Sequence, residues 1–319
     1  MSTRQRLLEV LQENMGQFLS GEALAESLGV SRTSVWKAIK ALKDQGYEIQ
    51  AVTNRGYCLS GDSDLLSASA IQSGLSTDLW QIHYEPSVDS TNSRIRELAA
   101  AGKAEGYVLI AGEQTGGRGR MGRSFFSPAD TGLYLSLLLR PGDFSPDQAM
   151  QLTTMAAAAL CLAIEEVTGK QPGIKWVNDL FLNEKKICGI LTEAGFNLET
   201  ACLDYAVVGL GLNLYPPAEG FPSGLQDIAS SLMDSAQPEL KNRIVTGFLN
   251  HFSDYYQNQR FEEASEVYRS RSILKGKTVL VGDRQAQVVD ITPRCQLLVR
   301  FPDDTEQALS YGEVQIVNL

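Results

Sequence analysis

The segment Gly116 to Arg123, GGRGRMGR, constrains the fold more than any other part of the chain. Four glycines and three arginines in eight residues disfavour a regular helix or strand, and strand-like runs flank them at Tyr107–Ala111 and Leu133–Leu138. The glycines let the backbone approach a ligand, and the arginines suit phosphate and carboxylate oxygens. A disordered RNA-binding RG segment is the alternative. Because the segment is short and unrepeated, we interpret it as a loop over a nucleotide.

The first sixty residues predict a winged helix-turn-helix. Apolar residues recur at helical spacing, and turn residues separate three helical stretches from two short strands. The predicted elements are a helix through Leu7 and Leu11, helices over Gly21–Leu28 and Ser31–Asp44, and strands over Tyr47–Val52 and Tyr57–Ser60.

The charges of this region favour contact with DNA. The whole chain has a net charge of −10, which argues against general polyanion binding, but every charged residue within Ser31–Lys43 is basic. A helical bundle with a solvated basic face is the alternative. The residues that we predict to contact DNA are Ser31, Arg32, Thr33, Ser34, Lys37 and Lys40.

The length of 319 residues favours two or three domains. We predict an α+β protein with a winged helix-turn-helix over residues 1–62, a mixed α/β domain over 67–270 and a small β-barrel over 272–319. The barrel is predicted from strand patterns at Thr278–Val281, Gln287–Ile291, Gln296–Phe301 and Val314–Val317.

The protein is expected to be cytoplasmic and to have no contact with membranes. Its five cysteines are widely spaced, which favours reduced thiols. The first residues do not form a signal peptide, and the longest uncharged stretch, Gln148–Ile164, is short for a bilayer span.

A second polar cluster lies in KWVNDLFLNEKKICGILTE, Lys175 to Glu193. Lys175 beside Asn178 and Asp179 suits phosphates and a hydrated Mg²⁺, which takes oxygen ligands. Lys186 could hold a substrate carboxylate and stabilise charge that develops on it. Each lysine alone would be interpreted as a solvated surface charge, but the clustering disfavours that interpretation.

Two shorter patterns are ambiguous when they are taken alone. Ser90, Thr91 and Asn92 precede a helix, where the simplest interpretation is an N-terminal cap. GLGLNL, which runs from Gly209 and includes Asn213, could be only a buried strand.

These four patterns, in this order, resemble the biotin–protein ligases, and the winged helix makes the resemblance closest to the bifunctional type, the biotin operon repressors. The resemblance implies an SH3-like C-terminal barrel. It also implies that biotin and ATP with Mg²⁺ form biotinyl-5′-AMP, and that the biotinyl group is transferred to a lysine of a biotin carboxyl carrier protein. Repression would use an adenylate-promoted homodimer on operator DNA. A lipoate–protein ligase and a non-catalytic biotin-sensing transcription factor are the alternatives.

The resemblance also implies roles for individual residues, with Lys186, Arg120 and Lys175 as the catalytic ones. Those implied for biotin are Ser90, Thr91, Asn92, Gln114, Arg118, Gly119, Arg120 and Lys186. Those implied for ATP are Arg118, Arg120, Lys175, Asn178, Asp179 and Asn213, with Mg²⁺ at Asp179. The chain departs from the family pattern at Val177, where many members have proline, and at Met121 and Phe125, where some have arginine and tryptophan.

Overall fold

The computed structural model describes residues 3–44, 47, 49–60, 64–142, 144–145, 148–197, 199 and 202–317. Residues 61–63, where we expected the first domain to end, lie outside these ranges. The chain divides into two compact units. The N-terminal unit consists of Met1–Gly74 and Ala236–Arg243, and the larger unit consists of Leu75–Ser235 and Ile244–Leu319.

The N-terminal unit begins with three helices and a hairpin, in the predicted order. These elements are α1 (Thr3–Glu13), α2 (Gly21–Leu28), α3 (Arg32–Asp44), β1 (Ile49–Val52) and β2 (Gly56–Leu59), and a short helix α4 (Ala68–Ser73) follows. The strands β1 and β2 pair antiparallel. Ser31 caps α3, because its Oγ accepts a hydrogen bond of 3.1 Å from the Ser34 N–H. Gly29 ends α2 in the left-handed conformation, with φ of 66°.

One apolar core holds these three helices together. Leu7, Leu24, Val35 and Leu42 are each at most 1% exposed and belong to one cluster with Leu59 of the hairpin. Because the core sides of the helices are buried, their polar residues form the outer surface of the unit.

A seven-stranded mixed sheet forms the centre of the larger unit. Its strands are β3 (Gln81–Val88), β4 (Tyr107–Gln114), β5 (Gly132–Leu139), β6 (Gly173–Lys175), β7 (Asp179–Leu182), β8 (Lys185–Asn197) and β9 (Cys202–Asn213). Their order is β3-β4-β5-β9-β8-β7-β6. Only the β3–β4 pair is parallel among the pairs described. The helices that follow or precede these strands are α5 (Thr91–Ala100), α6 (Ala149–Thr168), α7 (Leu240–Gln257) and α8 (Phe261–Ser270).

The helix α6 is apolar over most of its surface as far as Ile164 and is buried there for that reason. It packs on β8 and β9 and contacts α8. Among the described residues it is the one helix long and apolar enough to cross a bilayer, and 67% of its most apolar window is buried inside the protein.

The C-terminal part of the larger unit is a five-stranded antiparallel sheet. Its strands are β10 (Thr278–Val281), β11 (Arg284–Ile291), β12 (Leu297–Arg300), β13 (Glu306–Leu309) and β14 (Val314–Ile316), in the order β13-β12-β11-β10-β14. Four of these strands lie where the sequence predicted them. The strand β13 was missed because it is an edge strand whose first three residues are exposed, so it has no apolar alternation.

Candidate functional site

A cavity of about 220 Å³ lies in the larger unit. Every residue predicted to bind biotin or ATP lines it, together with side chains that the sequence did not indicate. The predicted members are Ser90, Thr91, Asn92, Gln114, Arg118, Gly119, Arg120, Lys175, Asn178, Asp179, Lys186 and Asn213. The fold therefore brings the four sequence patterns to one place.

The start of α5 forms a buried polar corner of this cavity. Ser90 Oγ accepts a hydrogen bond from the Ser93 N–H, so the cap interpretation is confirmed. Ser90, Thr91 and Asn92 are nevertheless only 2%, 3% and 4% exposed and line the cavity as well. The Thr91 N–H donates to Gln114 Oε1 at 2.9 Å, which ties the corner to the end of β4.

The Asn92 side chain is held on both of its polar atoms. Its Nδ2 donates to the Leu191 carbonyl at 3.2 Å and to Glu193 Oε2 at 3.0 Å. Its Oδ1 lies 2.7 Å from Ser136 Oγ. Such a satisfied buried network fixes the orientation of its members and presents a defined hydrogen-bonding surface.

Glycines on β9 make room for this arrangement. A Cβ on Gly209 would lie 1.7 Å from Asn92 Oδ1, and one on Gly211 would lie 2.4 Å from the Phe125 ring. Because residues two apart in a strand share a face, Gly209, Gly211 and Asn213 all line the cavity. The GLGLN pattern thus marks a strand that passes directly beneath the site.

The β7–β8 hairpin places an ion pair in the cavity. Its turn residues Asn183 and Glu184 have φ of 49° and 63°, which is the backbone that a tight two-residue hairpin requires. Lys186 Nζ lies 2.7 Å from Asp179 Oδ1 across the hairpin. Lys185, one residue earlier, donates to the Gln226 carbonyl at 2.9 Å and does not line the cavity.

The predicted loop Gly116–Arg123 is anchored by its arginines. Arg118 lies 3.5 Å from Glu193 Oε1, and Arg120 Nη1 donates to Asn178 Oδ1 at 3.1 Å. Arg123 forms a bidentate pair with Glu313, at 2.7 and 2.8 Å. Hydrogen bonding to Arg123 lowers the pKa of the Glu313 carboxyl from its usual value.

Lys175 is a partly buried cation that lines the cavity. Burial lowers the pKa of its ammonium group, and the nearby carboxylates of Asp179 and Glu313 only partly oppose this. A desolvated ammonium group favours an anion as a partner, because the anion restores the stability of the charged form.

Asp179 can supply one oxygen ligand to a cation. Within the described part of the chain there is no group of three or more His, Cys, Asp or Glu side chains that could hold a metal ion. This donor set does not suit a metal held by the protein alone, but it suits a Mg²⁺ that takes its other ligands from phosphate and water.

The cavity also has an apolar wall that the sequence did not indicate. It is formed by Phe126, Phe221, Leu225 and Ile228, and the rings of Phe126 and Phe221 meet edge to face with centroids 6.4 Å apart. Phe221, Leu225 and Ile228 lie in an irregular segment between β9 and α7 that has no motif, so no signal identified them. Glu313 was also missed, because its position at the cavity depends on the C-terminal sheet.

The predicted DNA-contacting residues extend from the cap of α3 to the middle of the helix. Arg32, Thr33, Lys37 and Lys40 are exposed on its surface. The Ser31 and Ser34 hydroxyls are 2.9 Å apart and serve the cap. The opposite face carries Val35, Ala38, Ile39 and Leu42, all buried in the core.

Comparison with known proteins agrees with this geometry. Residues 3–58 match a family model described as an HTH domain, and residues 84–213 match the Biotin/lipoate A/B protein ligase family. The chain is 38% identical over 259 residues to the bifunctional ligase/repressor BirA of Bacillus subtilis, and the match covers 79% of each protein. The chain belongs to the family of bifunctional biotin–protein ligases and repressors.

Two further proteins match a smaller part of this chain, one by sequence and one as a solved structure. A biotin–[acetyl-CoA-carboxylase] ligase of Mycobacterium tuberculosis is 33% identical over 202 residues, which cover 60% of this chain and 71% of that protein. The structure of the biotin protein ligase from Aquifex aeolicus in complex with biotin and ATP superposes with a TM-score of 0.61 at 26% identity, and covers 74% of this chain and 98% of the other.

Proposed function

We propose that this chain activates biotin with ATP and transfers it to a lysine of a biotin carboxyl carrier protein, the acceptor subunit of acetyl-CoA carboxylase. The observation that supports this most directly is the convergence of all the predicted biotin and ATP residues on one cavity. The reaction has two steps. The biotin carboxylate attacks the α-phosphorus of ATP and releases pyrophosphate, and the acceptor amine then attacks the carbonyl of biotinyl-5′-AMP and releases AMP.

In this proposal the buried polar corner binds the ureido ring of biotin. That ring offers two N–H donors and a carbonyl acceptor, and Ser90, Thr91, Asn92 and Gln114 supply both kinds of partner. Their rigid network supports selectivity, because a buried donor or acceptor left unpaired by the wrong acid is costly.

Lys186 would hold the biotin carboxylate and stabilise the charge that moves through it during adenylation. Asp179, which forms an ion pair with Lys186, would then be free to bind the Mg²⁺ that accompanies ATP. Lys175, Asn178 and Asn213 would contact the phosphates, and catalysis would come from positioning and charge stabilisation without a covalent enzyme intermediate.

The Gly116–Arg123 loop would cover the adenylate. Arg118, Gly119 and Arg120 line the cavity, and each arginine carries donors for phosphate oxygens. The mixed anhydride is sensitive to water, so a loop that excludes solvent protects it until the acceptor arrives.

The N-terminal unit would bind operator DNA and repress biotin genes. One helix-turn-helix makes few phosphate contacts and binds weakly, so an adenylate-promoted homodimer on a palindromic site would provide the affinity. The proposed function implies a cytoplasmic protein.

We further propose the domain limits 1–62, 67–270 and 272–319, and an SH3-like barrel for the last domain. The five-stranded antiparallel sheet, in which β14 returns beside β10, supports a small β-domain of this kind, and β13 and β14 are its edges among the described pairings.

The decisive experiment is biotin-dependent exchange of pyrophosphate into ATP. We expect exchange with biotin and none with lipoate. The Lys186→Ala variant should lose about 10- to 100-fold or more in rate, because a charge-assisted contact contributes about 1.5–3 kcal/mol. Lys185→Ala is the matched control and should retain the wild-type rate, because the Lys185 ammonium donates to the exposed Gln226 carbonyl and does not line the cavity.

The outcomes separate the alternatives. Exchange with lipoate rather than biotin would support a lipoate–protein ligase. Biotin binding without exchange would support a sensor that has no catalytic activity, and equal loss in both lysine variants would contradict the role assigned to Lys186.

A further inference from the structure

The surface of α3 exposes a large aromatic side chain that the core does not use. Trp36 is 54% exposed, whereas Trp80 and Trp176 are 1% and 3% exposed. These are the three tryptophans of the chain. An indole has a large apolar surface and one N–H donor, a combination that suits contact with another molecule.

Trp36 lies in the middle of the basic face of the helix. It is four residues after Arg32 and four before Lys40, so the three side chains share one face. Lys40 Nζ lies 6.0 Å from the centre of the Trp36 ring. Between Ser31 and Lys43 the sequence has no acidic residue.

The charge around the ring decides which partner fits. A protein partner would have to surround an apolar pocket with acidic groups. The major groove of DNA offers phosphates on both sides for the lysines, and apolar surface on the base edges, such as the thymine methyl group, for the ring.

We propose that Trp36 is a sequence-reading residue of the DNA-binding surface. Its ring packs on base edges, its Nε1–H donates to a base acceptor, and Lys37 and Lys40 contact phosphates beside it. The proposal rests on the DNA-binding function proposed above. It assigns to Trp36 selectivity among sequences, which phosphate contacts cannot provide.

The test uses the full-length protein with biotin and Mg-ATP. Wild-type protein is first used to select duplexes from a random-sequence library. Binding of a selected duplex and of a scrambled duplex is then measured at several salt concentrations for wild type, Trp36→Ala, Trp36→Phe and Lys37→Ala.

The Trp36 and Lys37 variants should lose different properties of DNA binding. Trp36→Ala should bind the selected duplex about 5- to 100-fold more weakly, with little change for the scrambled duplex and no change in the salt dependence. Lys37→Ala should weaken binding to both duplexes and lower the salt slope by about one. Trp36→Phe, which keeps an aromatic ring, should recover part of the selectivity. All variants should keep the wild-type rate of pyrophosphate exchange.

Fluorescence provides a second measurement, because Trp36 is the one tryptophan within reach of an aqueous quencher. Iodide quenching is recorded after biotin and Mg-ATP are added, so that any change at Trp176 in the cavity is already in the baseline. The selected duplex should then reduce quenching in wild type and leave quenching in Trp36→Phe unchanged.

Several results would overturn the proposal. Wild-type selectivity in Trp36→Ala, alongside the expected effect of Lys37→Ala, would overturn it and leave the DNA-binding function standing. A fall in iodide quenching on addition of biotin and Mg-ATP before any DNA, present in wild type and absent in Trp36→Phe, would mean that a second protein copy covers the ring. If wild type enriches no duplex, the DNA-binding function fails and this proposal fails with it.

Discussion

Replacement of Gly209 by alanine should weaken the binding of biotin more than it affects any other step. The added Cβ would lie 1.7 Å from Asn92 Oδ1, so the Asn92 side chain must move. That side chain is 4% exposed and has partners on both polar atoms, with Ser136 on one side and Leu191 and Glu193 on the other. Its displacement therefore breaks contacts in the buried polar corner.

The size of the effect on biotin binding follows from the cost of leaving a buried polar group without its partner. That cost is about 1–3 kcal/mol. If that cost appears in biotin binding, the affinity for biotin falls by about 5- to 150-fold. The assay is biotin-dependent pyrophosphate exchange over a range of biotin concentrations, where the KM for biotin should rise by this factor and the KM for ATP should change little.

Gly142→Ala is the matched control. A Cβ at Gly142 has no atom within 4 Å, so this variant should retain the wild-type KM and thermal stability. A Gly209→Ala protein whose KM for biotin stays within twofold of wild type would refute the reasoning. It would mean that Asn92 can move without loss of the binding surface, or that biotin does not contact it.

Two further predictions concern titratable groups. Burial lowers the pKa of Lys175, and bound phosphates should raise that pKa again, so ATP binding above neutral pH should be accompanied by proton uptake. Calorimetry in buffers of different ionisation enthalpy should detect the proton uptake. Lys175→Arg should abolish the proton uptake and retain ATP binding. Arg123 lowers the pKa of Glu313, so their pair should persist from pH 8 to pH 5 and be lost only as the pH falls through that lowered pKa. Since an exposed pair contributes about 0.2–1 kcal/mol, Glu313→Gln should increase hydrogen exchange in residues 116–123 by at most about fivefold, and a change above tenfold would contradict this.

The fold of the N-terminal unit was largely predictable because its signals are local. Ser31 caps α3, and Gly29 ends α2. Each signal lies within a few residues of the element that it limits. The strand β13 shows the opposite case, because Glu306 and Gln307 are exposed and an edge strand with polar residues has no periodic pattern to detect.

The site was predictable only where its chemistry is concentrated in short segments. The glycine and arginine loop and the Lys175–Lys186 region indicated a nucleotide site from the sequence. Phe221 and Ile228 could not be identified, because their position depends on the path of an irregular segment across the sheet. Gly209 could be interpreted only once Asn92 was seen directly above it.

Four of the cations that line the cavity already have partners within the protein. Lys186 is paired with Asp179, Arg118 with Glu193 and Arg123 with Glu313, while Arg120 donates to the Asn178 side chain. A cluster of positive charges without such partners would destabilise the folded protein by mutual repulsion. These contacts must be exchanged for contacts with the phosphates and the biotin carboxylate, so part of the binding energy is used to rearrange the site. Biotin alone or ATP alone can replace only some of the partners. The loop over the cavity should order fully only when the biotin part and the phosphate part are present together, as they are in the adenylate.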